Sequence, residues 1–275
     1  MFRLFLLATA LFAPVVVQGE TLVPVQHHEW GKFRPGAWKH VRITREDLDA
    51  QGKVISTSVI ETTTTLISVS DRSVTLRVDT IVEIAGRQFA KQPQLVTQGF
   101  GGELEGKTVP SKTVGTQSIN IAGQQLDSEI RTATVSDNAC QWTSRVYYCK
   151  NTAPYVLRRE TSSTDVASDA AKYETKVDVL AIDERIEVKD VVKKASQIRT
   201  VHTTPKSKTI TIEYRCEEIP GGYVSHTSEQ FDGTGRVVGR SKLELIDFYV
   251  PPRDGRARVE YRQVWPRWYY RRWGR

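Results

Sequence analysis

The chain has 275 residues, three cysteines and a formal charge of +7, long enough to bury a core without covalent staples. Three cysteines allow at most one intrachain bridge, which excludes a disulfide-built scaffold. The charge suggests a nucleic-acid binder, but residues 251–275 hold eight arginines against two acids, Arg3 supplies the remaining surplus, and the body from Glu20 to Val250 is formally neutral.

The chain begins "MFRLFLLATALFAPVVVQGE", with a positive start at Arg3, an apolar run from Leu4 to Val17 and small Gly19 at its end. That pattern predicts a cleaved secretory signal over residues 1–19. The run is too short for a membrane span of about 20 residues. The mature chain is therefore expected to be exported, periplasmic or extracellular. A lead-in over residues 20–35 follows, and its "HHEW" reads as a solvated approach to the first strand.

From residue 36 to 250 alternation dominates. In "SVTLRVDTIVEIAG", Val74, Leu76, Val78, Val82 and Ile84 fall on one face and Thr75, Arg77, Asp79 and Glu83 on the other, a half-buried antiparallel strand. "GAWKHVRITRE" and the β-branched "KVISTSVIETTTTLISVSD" supply strands before it, and "SDRS" reads as a hairpin turn. Further strands are predicted at Ser118–Ile121, Glu129–Val135, Trp142–Tyr148, Tyr155–Thr161, Lys176–Ile182, Lys208–Cys216, Tyr223–Glu229 and Val237–Phe248, with turns such as "IPGG" and "DGTGR" between them. Lys91–Gln117 and Ser162–Ala171 read as irregular. Asp183–Gln197 is the best helix candidate, open between a helix and a strand with a turn. The fold class expected is mainly β: a long curved antiparallel sheet or two duplicated half-barrel units, with at most one or two short helices and a β-sandwich as the alternative.

A weak internal repeat runs from about 129–183 to about 197–250. Ile130-Arg131-Thr132 returns as Ile198-Arg199-Thr200, Cys149 as Cys216, Tyr155-Val156 as Tyr223-Val224, and Lys176-Val177-Asp178 as Lys242-Leu243-Glu244. Each unit then has a strand ending at cysteine, a turn with Pro154 or Pro220, and a second strand. One unit alone has too few strands to close a core.

"FRPGAW", "VIETTTTL", "YVLRRE" and "GYVSHTSE" together resemble secreted bacterial envelope proteins of planctomycete type. Those are in turn similar to LolA-like lipoprotein-carrier half-barrels. The resemblance covers about Trp30 to Phe248. It implies a sheet whose concave face shields acyl chains or other apolar ligands, and it carries over no lipid-contact residue.

No residue set has a catalytic arrangement. Cys149 as a nucleophile needs a neighbouring base, and nothing in the sequence brings His202 or His226 to it. Its matching place with Cys216 makes both strand-end packing residues. Cys149 and Cys216 are a candidate disulfide only if the duplicated strands lie side by side. His27 and His28 are adjacent on an extended segment, point to opposite sides, and have no second cluster to complete a metal shell. No enzymatic activity, cofactor or metal is expected.

The tail, "WPRWYYRRWGR", interleaves Trp265, Trp268, Tyr269, Tyr270 and Trp273 with Arg267, Arg271 and Arg272. Arginine forks pair with phosphate or carboxylate, and aromatics settle at a bilayer interface. These eight residues are the candidate contact with an anionic envelope polymer or membrane surface, and no nucleic acid is expected. The functional expectation is a non-enzymatic exported protein that binds a lipid, another apolar ligand or an envelope-derived ligand. The alternative is an assembly protein docking other envelope proteins. A binder is expected to enclose an apolar cavity of at least about 300 Å³, an assembly module to fill its concave face with side chains.

Overall fold

The period-two pattern becomes pairing along almost the whole chain. The computed structural model describes residues 22–100, 110–136 and 139–252. Its strands are β1 (Trp38–Leu48), β2 (Val54–Val69), β3 (Ser73–Ile84), β4 (Arg87–Ala90), β5 (Gln94–Gly99), β6 (Lys112–Ile121) and β7 (Gln124–Ser136). They continue as β8 (Cys140–Tyr148), β9 (Val156–Asp165), β10 (Ala171–Val188), β11 (Val191–Thr203), β12 (Ser207–Arg215), β13 (Tyr223–Asp232) and β14 (Val237–Tyr249). All belong to one antiparallel sheet in the order β4-β3-β2-β1-β14-β13-β12-β11-β10-β9-β8-β7-β6, with β5 also on β3. The sheet is open and curved, and it curls far enough for β6 to touch β10. The only helical piece among the described residues is a 3-10 turn at Val25–His27.

The helix candidate at Asp183–Gln197 resolves as strand, turn and strand. Lys189 and Asp190 both take positive φ, 51° and 64°, as a two-residue hairpin with the twist of its flanking strands requires. Val188, Val191 and Val192 are β-branched and suit the ladder better than a helix. The stretch read as irregular after Lys91 contains β5 and the start of β6, and β9 extends to Asp165.

The two ends of the sheet differ. At one end lie the corners after β8 and β12, the β2–β3, β6–β7 and β10–β11 hairpins, the end of β14 and the start of β1. The buried apolar clusters gather here. One holds Ile119, Ile121, Tyr147, Cys149, Leu157, Val179 and Ile198. Another holds Val188, Ala195, Cys216 and Ile219. Neighbouring residues of a strand face opposite ways, yet Val146, Tyr147 and Tyr148 are all buried, so both faces of β8 are covered at this end.

Toward the other end only one face is sheltered. On β13 and β14, Ser228, Gln230, Gly239, Ser241 and Leu243 are shielded, while Thr227, Glu229, Arg240, Lys242 and Glu244 between them are exposed. The curved sheet thus has a sheltered concave face and an exposed outer one.

Candidate functional site

The lead-in is not a solvated approach. Residues 22–37 form a strap across the sheltered face at the packed end. Leu22 and Val23 are buried against Ala133, Val146 and Tyr148. Farther along, Trp30 and Ala37 pack with Leu66, Val74, Leu76 and Phe100. Trp30 keeps only 3% of its surface. Apolar Leu22, Val23, Val25, Trp30 and Phe33 were the sequence signal for this. Without a period they did not reveal what they cover.

The two histidines of "HHEW" tie the strap down separately. His27 Nδ1 lies 2.5 Å from the Tyr148 hydroxyl, and its ring stacks on Tyr155 at 3.9 Å. The Nδ1 of His28 accepts from the backbone N–H groups of Trp30, at 3.3 Å, and Gly31, at 3.2 Å. Burial lowers both imidazole pKa values, since it disfavours the charged form. Among the described residues, no group of three or more His, Cys, Asp and Glu side chains is placed to hold a metal ion.

Beneath the middle of the strap is a buried ionic cluster. Arg215 donates to Glu213 at 2.7 Å, to Glu29 at 3.1 Å and to the Tyr223 hydroxyl at 2.7 Å. Lys39 donates to the Gly221 carbonyl at 3.3 Å and sits 4.6 Å from the Tyr223 ring centroid and 5.4 Å from that of Trp30. Burial pushes the Lys39 pKa down to about 8. Burial likewise raises Glu213, against the pull of Arg215. Tyr223 stands at about 12, where Arg215 lowers it but burial and the carboxylates of Glu29 and Glu213 outweigh that. Gly221 is fixed by geometry: its φ is +69°, and a Cβ would lie 2.5 Å from Lys39 Nζ and 2.7 Å from the Trp30 ring. The cluster is closed by its own partners and serves to lock strap to sheet.

The two cysteine-led corners share one hydrogen-bond pattern. Cys149 N–H donates to the Tyr155 carbonyl at 2.7 Å, and Cys216 N–H to the Gly222 carbonyl at 2.8 Å. Inside them, Tyr155 donates to Thr152 and Gly222 to Ile219, and both donors have positive φ. Tyr155 therefore corresponds to Gly222 and Val156 to Tyr223, one residue earlier than the sequence match of Tyr155-Val156 with Tyr223-Val224. Cys149 and Cys216 are free thiols in different clusters. Strands β9, β10 and β11 separate β8 from β12, so the side-by-side placement that a bridge between them requires does not occur. Cys140 is also free of disulfide and lies 2.9 Å from Lys172 Nζ.

Beyond the strap, over β8–β14, the sheltered face is open and polar. Cross-strand register places Ser144, Thr161, Thr175, His202, Thr209 and Gln230 in one row over β8–β13. The adjacent row carries Thr200, Thr211, Ser228, Ser241 and Arg45. Ser144 and Thr161 are 3.2 Å apart, Thr175 and His202 Nδ1 2.8 Å, and Thr211 donates to Ser228 at 3.0 Å. Around Gly239, which presents no side chain, Arg45, Thr209, Ser228, Gln230 and Ser241 line a depression of about 170 Å³. A larger notch of about 400 Å³ opens at the hairpin tips beside Ile210, Phe231 and Lys208. The concave face is thus neither a continuous apolar trough nor wholly filled: its packed half is occupied by the strap, and its open half is lined by hydroxyls over β8–β14 and by the in-register row Leu243, Ile43, Ile60, Val82 and Phe89 over β14–β4.

The tail residues Trp265, Arg267, Trp268, Tyr269, Tyr270, Arg271, Arg272 and Trp273 lie outside the described residues, as does segment 1–19, expected to be a signal.

No family model and no curated protein matches the chain. Among solved structures it is similar to a protein described as exported, with a YmcC-like fold, from Bacteroides fragilis, at 11% identity and TM-score 0.28 over 79% of this chain and 98% of that one. It is also similar to a DUF1329 family protein from Desulfovibrio piger, at 8% identity and TM-score 0.34, covering 78% of this chain and 85% of that one. A protein described as a lipoprotein, from Parabacteroides distasonis, gives 11% identity and TM-score 0.28 over 81% and 98% of the two chains. At these scores the likeness assigns no family.

Proposed function

We propose that this chain is a non-enzymatic, exported β-sheet protein that holds an envelope-derived ligand on the open half of its concave face. The observation that carries the reading is the division of that face, with the strap over its packed half and a sheltered, hydroxyl-lined trough over β8–β14 beyond it. Within that trough the Ser and Thr rows favour a polar ligand over a bilayer lipid. The export signal over residues 1–19 supports an extracytoplasmic site of action. In this reading the basic-aromatic tail holds the protein to an anionic envelope surface.

Native mass spectrometry of protein purified from its own envelope fraction tests the ligand. A bound polar adduct is expected, and bare protein throughout overturns the reading. Flotation with anionic vesicles, with and without residues 251–275, tests the tail separately. Retention only of the longer form is expected.

An assembly role has its own support. Phe89 on β4 and Leu95 on β5 are 54% and 72% exposed on the outermost strands at one edge of the sheet, and an exposed edge is a template for strand addition.

A further inference from the structure

The rim of the open trough carries aromatic rings as well as hydroxyls. Trp142 on β8 pairs in register with Ser163 on β9, and Ser163 pairs with Tyr173 on β10. Tyr173 in turn lies 5.4 Å, ring to ring, from His202 on β11. Trp142, Tyr173 and His202 are each part-exposed, so ring surface is available along this border. Ser163, between the first two, retains 1% of its surface, and its hydroxyl has no hydrogen-bond partner.

A pyranose ring is apolar on its C–H faces and polar around its edge, so it is recognised by aromatic rings beside hydroxyl, amide and guanidinium groups. All of these occur together here. The rings of Trp142, Tyr173 and His202 border the rows of Ser and Thr, and these lead over β12 and β13 to the Gly239 depression with Gln230 and Arg45. From β8 to β14 the trough crosses six strand spacings, about 29 Å along the sheet, which suits an oligomer better than a single sugar. We infer that the hydroxyl-lined trough over β8–β14 is a binding site for an oligosaccharide, with Trp142 and Tyr173 as stacking platforms and Gln230 and Arg45 as edge contacts. This rests on the ligand-binding reading above and names its chemical class.

Calorimetry on the full mature chain with three tetrasaccharides tests it: chitotetraose, maltotetraose and tetragalacturonate, the last to show whether Arg45 favours an acidic sugar. Binding of at least one with a dissociation constant below about 1 mM is expected. Tyr173→Ala is expected to weaken it at least tenfold and Tyr173→Phe to leave it within threefold. Gln230→Ala is the discriminating variant: Gln230 is part-exposed and lines the depression, so melting is expected to be unchanged while affinity falls, whereas a merely structural side chain would show its loss in the melting temperature. If Tyr173→Ala does not fold, Trp142→Ala and Gln230→Ala carry the test. Absence of binding by all three sugars, or binding that these variants leave intact, overturns the inference. If the sugars fail while protein from its own source carries a different polar adduct, the saccharide class falls and the broader reading stands. Bare protein together with silent calorimetry removes both.

Discussion

The phenolic hydroxyl of Tyr155 donates to Glu217 Oε1 at 2.8 Å, so the corner that follows β8 is joined directly to the corner that follows β12. Lys32 of the strap donates to the same oxygen at 2.9 Å. One carboxylate therefore gathers both corners and the strap. Burial would raise its pKa, but the bonds from Lys32 and Tyr155 outweigh that and leave Glu217 lowered. A carboxylate lowered in the folded state stabilises above its unfolded pKa, and that contribution is lost as pH falls through the folded value. Tyr155→Phe is expected to cost about 0.5–1 kcal/mol, because Glu217 is partly solvated, and to flatten the acid limb of the urea stability profile.

Lys39 gives a signature on the alkaline side. Its folded pKa near 8 lies below the ordinary lysine value of 10.5, so the unfolded chain binds more protons between the two and stability rises with pH across that window. Tyr223, raised to about 12 from 10.0, acts in the opposite sense. Its contribution is full below pH 10 and lost as pH climbs toward 12. Urea midpoints from pH 7 to 11 are expected to climb to about pH 10 and then fall. Lys39→Met is expected to abolish the climb and keep the fall.

Removing the partner of a buried carboxylate is costlier than removing a surface pair. Glu213 is 4% exposed, and Arg215 is its hydrogen-bonded counter-ion. Arg215→Met is expected to destabilise by about 3–5 kcal/mol. Replacing Glu213 and Arg215 together by Gln and Met is expected to recover part of that loss, measured by equilibrium unfolding.

The strap predicts its own energetic weight. Trp30 fills the space over Leu66, Val74 and Leu76, and Trp30→Ala is expected to cost about 3–5 kcal/mol. Limited proteolysis should then cut first within residues 22–37 while the sheet survives. Simultaneous loss of sheet and strap would show that they do not unfold separately.

Thiol accessibility checks the cysteines. Without reductant, all three are expected to react with an alkylating agent in denaturant. In the native protein only Cys140, the part-exposed one, should be modified quickly, because Cys149 and Cys216 are buried and burial raises the Cys216 pKa. Intact mass gives the count.

The strands were legible because one face of each is sheltered. Val74 and Leu76 alternate with Thr75 and Arg77, and that period survives in the structure. The ionic cluster was not legible, since Glu29, Lys39, Glu213 and Tyr223 come from four separate segments with no shared motif. The polar trough was half visible. Its Ser and Thr residues alternate within each strand, but only the register sets Thr175 beside His202 and Thr209 beside Gln230. The helix candidate misled because Ile186, Val188, Val191 and Val192 fit either period until the turn at Lys189 and Asp190 is known.

The order of the sheet also bears on how the chain assembles. Strands β1–β5 form one block and β6–β13 another, and among the described residues their only ladder connection is β14, which pairs with β1 on one side and β13 on the other. The last strand is thus the keystone between pieces that precede it in the chain. Trp38 must wait for Tyr249, its partner in register, so closure is a late, long-range event of the kind that slows folding. Until it happens, each block presents an unpaired edge open to aggregation.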